Sequence, residues 1–202
     1  MNPDKRLPCL DLGAHVRGSS GGIALYRVAA WLLFAVLMLA TPARAAEARA
    51  ADQHFFDLNT GDLRAEARDA KQAGKKAILF MFEQEGCPGC LYMKTRVLNR
   101  ADVQAFYRQR FVSFSVDIFG AVPIRDFAGR DFTEKSYAQV LRVTGTPTFV
   151  FYDLEGNEII RLVGPVKEPA EFILIGEFVS SGAYRSTKFA DYKKSKVRQK
   201  GS

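Results

Sequence analysis

Histidine and cysteine are scarce: two and three among 202 residues, with a single tryptophan. Two histidines leave little room for a His-rich metal site. Three cysteines exclude a disulfide-stapled scaffold. The marked apolar run, Val28 to Ala40, has 13 residues, short of the roughly 20 that a spanning helix needs. With 48% hydrophobic and 25% charged residues, the chain is neither collagen-like nor wholly disordered. Its length allows one domain, or at most two small ones.

The net charge of +7 is not spread evenly. Lys5, Arg6, Arg17 and Arg27 precede Val28–Ala40 (VAAWLLFAVLMLA), Thr41-Pro42 breaks a helix, and Ala43-Arg44-Ala45 supplies a small-x-small site. These are the three parts of a secretory signal peptide, so residues 1–45 are expected to be removed, with Cys9 lost among them. The alternative is an uncleaved membrane anchor. Export is expected to place the remaining chain in an oxidising compartment. Of the basic residues beyond position 45, seven lie in 185–202, opposed by Asp191 alone, which leaves residues 46–184 slightly acidic. Phosphate recognition needs a basic face on the fold, so nucleic acid is not an expected partner. The organisation expected is a leader at 1–45, an N-terminal extension at 46–61, a domain at 62–184 and a disordered basic tail at 185–202. Contact of the tail with anionic lipid or an acidic partner is the alternative to a solvated run.

Asp62 is placed to cap a helix over Leu63–Ala73, and Gly74 to end it. Ala77–Phe82 (AILFMF) is apolar throughout, the pattern of a short strand buried on both faces. Pro88 suits the first turn of a helix that Leu91–Leu98 continues. Ala101–Arg110 reads as helix, Phe111–Asp117 as an alternating strand and Glu134–Val143 as helix. Gly145-Thr146-Pro147 interrupts the pattern. Thr148–Tyr152 and Glu158–Val163 then form a hairpin, and Pro169–Ser181 an amphipathic closing helix. Ile118–Thr133, with Gly120, Pro123 and Gly129, reads as irregular. A βαβ half followed by a ββα half predicts an α/β protein, a central mixed sheet flanked by helices on both faces.

Cys87-Pro88-Gly89-Cys90, at a helix start directly after a buried strand, is the motif that carries chemistry. Residues three apart on one helical turn bring two sulfurs within disulfide reach. Unpaired N–H groups at the helix N-terminus stabilise a thiolate on Cys87. Cys87 is therefore the candidate nucleophile toward a disulfide, and Cys90 the resolving thiol. Pro88 removes a backbone donor and Gly89 adds no side chain, so both tune that thiolate. Two plainer readings compete. A structural bridge over four residues constrains little chain. Half a zinc site would need ligands beyond His54 and carboxylates.

The segment from about Asp57 to Gly182 resembles the thioredoxin fold: a buried strand, the Cys87–Cys90 motif, Gly145-Thr146-Pro147 after it, then the hairpin. About 95% of X-Pro bonds are trans, but the resemblance implies a cis Pro147 facing the disulfide, with Thr146 as the substrate-facing residue. Within that superfamily, Phe82–Cys90 (FEQEGCPGC), the Ile118–Thr133 insert and Thr146-Pro147-Thr148-Phe149 resemble the exported thioredoxins of the SoxW type, linked to bacterial sulfur oxidation. The resemblance implies a thiol-disulfide oxidoreductase; a monomer is the default expectation. It would be kept reduced by a membrane electron-donor protein and would reduce disulfides or thiol adducts on periplasmic proteins. It implies no metal or dissociable cofactor, since the electrons reside in Cys87 and Cys90. One departure stands out. Thioredoxins usually carry a buried acid six residues before the first cysteine, and here that place is Met81. Glu83 and Glu85 are the candidates to move the proton of the second thiol, against the alternative that each is a solvated loop charge.

Phe119, Phe127 and Phe132 are expected to fill a small satellite core rather than form an apolar lip beside the disulfide. The rival functions are a disulfide-donating oxidase, favoured by a very low Cys87 pKa, and a binding module, either a thiol metal carrier or a chaperone docking chains beside Pro147.

Overall fold

The computed structural model describes residues 49–200; the expected leader, with Cys9, lies outside the described residues. In chain order the elements are α1 (Ala51–His54), α2 (Leu63–Gln72), β1 (Ala77–Glu83), α3 (Pro88–Tyr92), α4 (Ala101–Arg110), β2 (Phe111–Asp117), β3 (Pro123–Arg125), β4 (Asp131–Thr133), α5 (Glu134–Val140), β5 (Thr148–Tyr152), β6 (Glu158–Val163), α6 (Pro169–Ser180) and α7 (Phe189–Lys200). A π turn over Met93–Val97 extends α3. Among the described residues no helix is long and apolar enough to cross a membrane.

β1 has no polar side chain before Glu83, so both of its faces must be covered, and the strand takes an interior place. It pairs in parallel with β2 and antiparallel with β5, and β6 forms the far edge, giving the order β2-β1-β5-β6. This is the mixed sheet expected from the sequence, with helices on both faces.

Successive side chains of a strand alternate between faces, and β1 divides its residues accordingly. Leu79 and Met81 join Phe111, Phe149 and Phe151 beneath Phe55, Met93, Tyr107 and Phe172, which come from the α1, α3, α4 and α6 side. Ile78, Phe80 and Phe82 join Phe114, Val116, Val150 and Tyr152 against Leu63 and Ala67 of α2 and Tyr137 and Ala138 of α5. On the first face Tyr107 stacks on Phe172 with ring centroids 4.6 Å apart, and its hydroxyl donates to the Phe172 carbonyl at 2.6 Å. That bond meets the requirement that a buried hydroxyl find a partner. Asp62 caps α2, its carboxylate accepting from the N–H groups of Arg64 and Ala65, as its type and place imply.

Four segments differ from the sequence reading. The insert is not irregular throughout: β3 and β4 pair as a small antiparallel hairpin that buries Ile124. Helix α5 stops at Val140, and the chain turns at Arg142, whose φ is +53°. The described part of the N-terminal extension, residues 49–61, packs on the domain. Ala51 and Phe55 are core residues, Arg49 N–H bonds the Asn99 carbonyl, and Asp57 N–H bonds Ser113. The tail 185–202 is not a disordered run over its described part. Helix α7 packs on α6 through Phe189 and Tyr192, both against Phe178, and through Lys193, which pairs with Glu171 at 2.5 Å. Two aromatics three residues apart share one helix face, and they anchor a segment whose charge count alone points to solvent.

Candidate functional site

The chain leaves β1 at Glu83, turns through Gly86 (φ +70°) and enters α3. Gly86 suits this turn because a left-handed backbone costs glycine no Cβ clash. Cys87 is the N-cap residue of α3, and its Sγ accepts from the Cys90 N–H at 3.1 Å. Pro88 opens the helix, where the N–H it lacks would find no partner in the helix. Cys87 and Cys90 are joined as a disulfide with Cα atoms 5.3 Å apart. Both are buried, Cys90 at 3% exposure and Cys87 at 8%. The sulfur nearer the surface is therefore the one at the helix N-terminus, where N–H groups and the helix dipole favour negative charge.

The Thr146–Pro147 peptide is cis. Pro147 is buried, and its carbonyl accepts from the Gly164 N–H at 2.8 Å. The Thr148 hydroxyl bonds the Gly145 carbonyl at 2.6 Å and ties the loop from below. Gly89 meets this loop directly: a Cβ on Gly89 would lie 2.9 Å from Pro147 Cδ. The second glycine of the segment thus has a packing reason, since only a residue without a side chain lets α3 approach Pro147 this closely. Thr146, half-buried, has no backbone hydrogen bond among the described residues. Its peptide groups are open to pair with an extended chain.

Beside the disulfide lies a 510 Å³ cleft lined by Glu83, Gln84, Glu85, Cys87, Cys90, Leu91, Lys94 and Asp117, among others. Leu91 is exposed at its edge; the next residue, Tyr92, is also exposed, and its hydroxyl donates to the Lys167 carbonyl at 2.9 Å. The two glutamates read as proton-shuttle candidates are placed differently. Glu85 is an exposed loop residue. Glu83 is the last residue of β1, two after Met81, so alternation puts it on the cysteine side of the sheet, one pleat beyond the place an acid usually holds. Its side chain is 17% exposed, and one oxygen, Oε1, takes both the Ser115 hydroxyl and the Lys94 ammonium, the latter at 2.7 Å.

Lys94 was not singled out by sequence, though it lies four residues after Cys90. Its ammonium also pairs with Asp52 of α1 at 2.8 Å and lies 5.8 Å from the Phe56 ring centroid. Burial would lower its pKa, but hydrogen bonds to Asp52 and Glu83 outweigh burial and hold it above the ordinary lysine range. Asp52 carries no sequence signal, since nothing local couples it to the motif. Glu134, at the start of α5, is the other acid on this side of the insert. Its Oε1 accepts from the Asp117 N–H at 3.4 Å, and a Cβ on Gly120 would collide with its Oε2. Burial pushes its carboxyl above the ordinary glutamate range. The Asp117 N–H opposes that shift, and the Asp117 and Glu83 charges reinforce it.

Of the insert's aromatics, Phe127 and Phe132 pack against Tyr152 and Tyr137, with centroids 5.3 and 5.7 Å apart, and extend the second core. Phe119 is 66% exposed and belongs to neither core.

A disulfide in the first turn of a helix, entered from a buried central strand, with a cis proline packed against the glycine between the cysteines, is the arrangement of a thioredoxin-type site. Residues 63–180, more than half of the chain, match the family described as Thioredoxin-like domain, and the chain belongs to that family. A thioredoxin-fold protein from Helicobacter pylori is similar in structure, with a TM-score of 0.55 and 24% identity, over 62% of this chain and 87% of that one. A thioredoxin from Thermus thermophilus has 32% identity and a TM-score of 0.45, over 57% and 82%. The C-terminal domain of Neisseria meningitidis DsbD in its oxidised form has 21% identity and a TM-score of 0.43, over 57% and 90%. No curated protein matches the chain.

Proposed function

We propose that this protein is an exported thiol-disulfide oxidoreductase that reduces disulfides or thiol adducts on periplasmic proteins and is recharged by a membrane electron-donor protein. The observation that carries the proposal is the placement of the Cys87 sulfur at the N-terminus of α3, bonded to the Cys90 N–H, in a turn whose Gly89 packs against the Pro147 loop. Membership of the thioredoxin-like family supports the chemistry. The sequence resemblance to exported SoxW-type thioredoxins supports the reducing direction and the link to sulfur oxidation.

In the reduced state the Cys87 thiolate attacks one sulfur of a substrate disulfide. A mixed disulfide forms and the first substrate thiolate leaves. An extended substrate segment pairs with the open backbone at Thr146 and is seated by Pro147. Cys90 then gives up its proton, for which Glu83, lining the same cleft, is the candidate acceptor, and attacks the Cys87 sulfur. The Cys87–Cys90 bond forms, the mixed disulfide breaks, and the second substrate thiol is released. Two electrons pass from the dithiol to the substrate, and no metal or dissociable cofactor enters the balance.

The test is trapping with insulin as the disulfide substrate. Reduced Cys90→Ser accumulates a mixed disulfide through Cys87, whereas Cys87→Ser accumulates none and shows no turnover. Full turnover by Cys87→Ser would overturn the assignment. Stoichiometric metal on the isolated reduced protein would favour the carrier reading instead.

A further inference from the structure

Three charged side chains from three separate elements form a chain that reaches the cleft: Glu83 at the end of β1 and Lys94 in the turn after α3 line it, and Asp52 on α1 pairs with Lys94. The two ion pairs share one ammonium. Lys94 is 22% exposed and Glu83 17%, so water screens this pair less than a surface pair. Asp52 is 66% exposed, so it stands at the solvent end of the chain of charges. Both contacts on Glu83, from Lys94 and Ser115, go to Oε1. Its Oε2 has no partner among the described residues and belongs to a side chain that lines the same cleft as Cys90. One oxygen is therefore fixed and the other is left for a proton.

We infer that Lys94 and Asp52 are positioning residues for the resolving step, Lys94 holding Glu83 as an oriented carboxylate and Asp52 moderating the charge that Lys94 exerts. This rests on the thiol-exchange reading above and adds α1, outside the matched domain, to the working site. The two residues have opposite electrostatic senses. The Lys94 charge stabilises the negative charge that develops on the Cys90 sulfur as it attacks, and the Asp52 charge offsets part of that. The other titratable groups around Glu83 are Asp117 on β2, its register partner; Glu134 at the start of α5; Glu85 in the loop; and the two cysteines.

The opposite senses give a test that a merely structural role would not pass. The reduced protein is mixed with excess 5,5′-dithiobis(2-nitrobenzoate) in a stopped-flow instrument. The first thionitrobenzoate released reports attack by Cys87. The second, independent of reagent concentration, reports resolution by Cys90. The midpoint of the pH–rate profile for the second release is a property of the coupled groups. Lys94→Met is expected to raise that midpoint by about one unit, which slows resolution about tenfold below it. Asp52→Asn is expected to lower the midpoint by a smaller amount, and Lys94→Arg to restore the parental profile. In a Glu83→Gln background, Lys94→Met is expected to shift the profile less than in the parent. The inference is overturned if Lys94→Met and Asp52→Asn move the midpoint in the same direction, or leave it in place, while both thiols are still released. A parent that releases only one thionitrobenzoate would overturn the thiol-exchange reading and this inference together.

Discussion

The two faces of the sheet bury aromatic side chains in much the same way, yet they differ in how they handle charge. On the cysteine face, the strand that supplies Leu79 and Met81 to the core ends in Glu83, which is tied to α3 and α1 through Lys94 and Asp52 beside the disulfide. On the opposite face, the buried Asp126 bonds Arg130 and the N–H groups of Ala128 and Arg130, all within the insert hairpin. One set of charges joins distant elements around two sulfurs, and the other closes a loop on itself. The lesson is that burial alone does not mark the working face. What marks it is a charged group that the core leaves unfinished at the edge of a cleft.

The sharpest way to break this comparison is to damage each core equally. Phe172→Ala on the cysteine face and Phe80→Ala on the other each remove a fully buried ring, and each is expected to cost about 3–5 kcal/mol in urea denaturation. Only Phe172→Ala should slow thiol exchange per folded molecule. An equal slowing in Phe80→Ala would mean that the faces are not functionally distinct.

Gly89→Ala acts where helix and proline loop meet. The added methyl, 2.9 Å from Pro147 Cδ, is expected to cost about 1–3 kcal/mol and to slow insulin reduction about tenfold or more through the displaced loop. A variant with parental stability and parental rate would show that the contact is slack.

Glu134 at the start of α5 and Asp126 in the insert should respond to pH with opposite signs. Glu134 has its folded pKa raised, chiefly by burial. Its contribution to stability is therefore full below the ordinary glutamate value of 4.5 and is lost as pH rises through the folded pKa. For Asp126, burial acts to raise the pKa, but the bonds from Arg130 and Ala128 prevail and hold it low. Its contribution is present above the ordinary aspartate value of 3.8 and is lost as pH falls through the folded pKa. Urea midpoints measured across pH should therefore flatten on the rising side in Glu134→Gln and on the acid side in Asp126→Asn. Unchanged slopes in both variants would contradict the assignment.

The smallest effect is expected at Phe119. Phe119→Ala should stay within about 0.5 kcal/mol of the parent, while Phe127→Ala, which empties the contact with Tyr152, should cost several times more. Comparable losses would mean that Phe119 packs as its neighbours do.

Much of the fold and of the cysteine motif was legible in the sequence, because those signals are local. The uninterrupted AILFMF run forces an interior strand, Asp62 caps its helix from the adjacent position, and the spacing of Cys87 and Cys90 confines both sulfurs to one turn. The parts that were not legible depend on partners far along the chain. The strands of the insert hairpin, three residues each, are too short to show a period. They are set by their mutual pairing and by the bridge from Arg125 to Asp62. Phe189 and Tyr192 were lost among the lysines of the tail until Phe178 supplied a surface for them. Asp52 has meaning only through Lys94, and Lys94 only through Glu83. The same holds within the motif: Gly89 reads as a small residue in a helix start until Pro147 is placed against it.

The reduction potential of the Cys87–Cys90 couple tests the central claim most directly. Residues 46–202 would be equilibrated against glutathione and dithiothreitol buffers, and the free thiols trapped and counted. A reductase requires a value near or below about −250 mV, in the range of thioredoxins. A value near about −120 mV, that of a strong disulfide donor, would contradict the account and make the protein an oxidant of its partners.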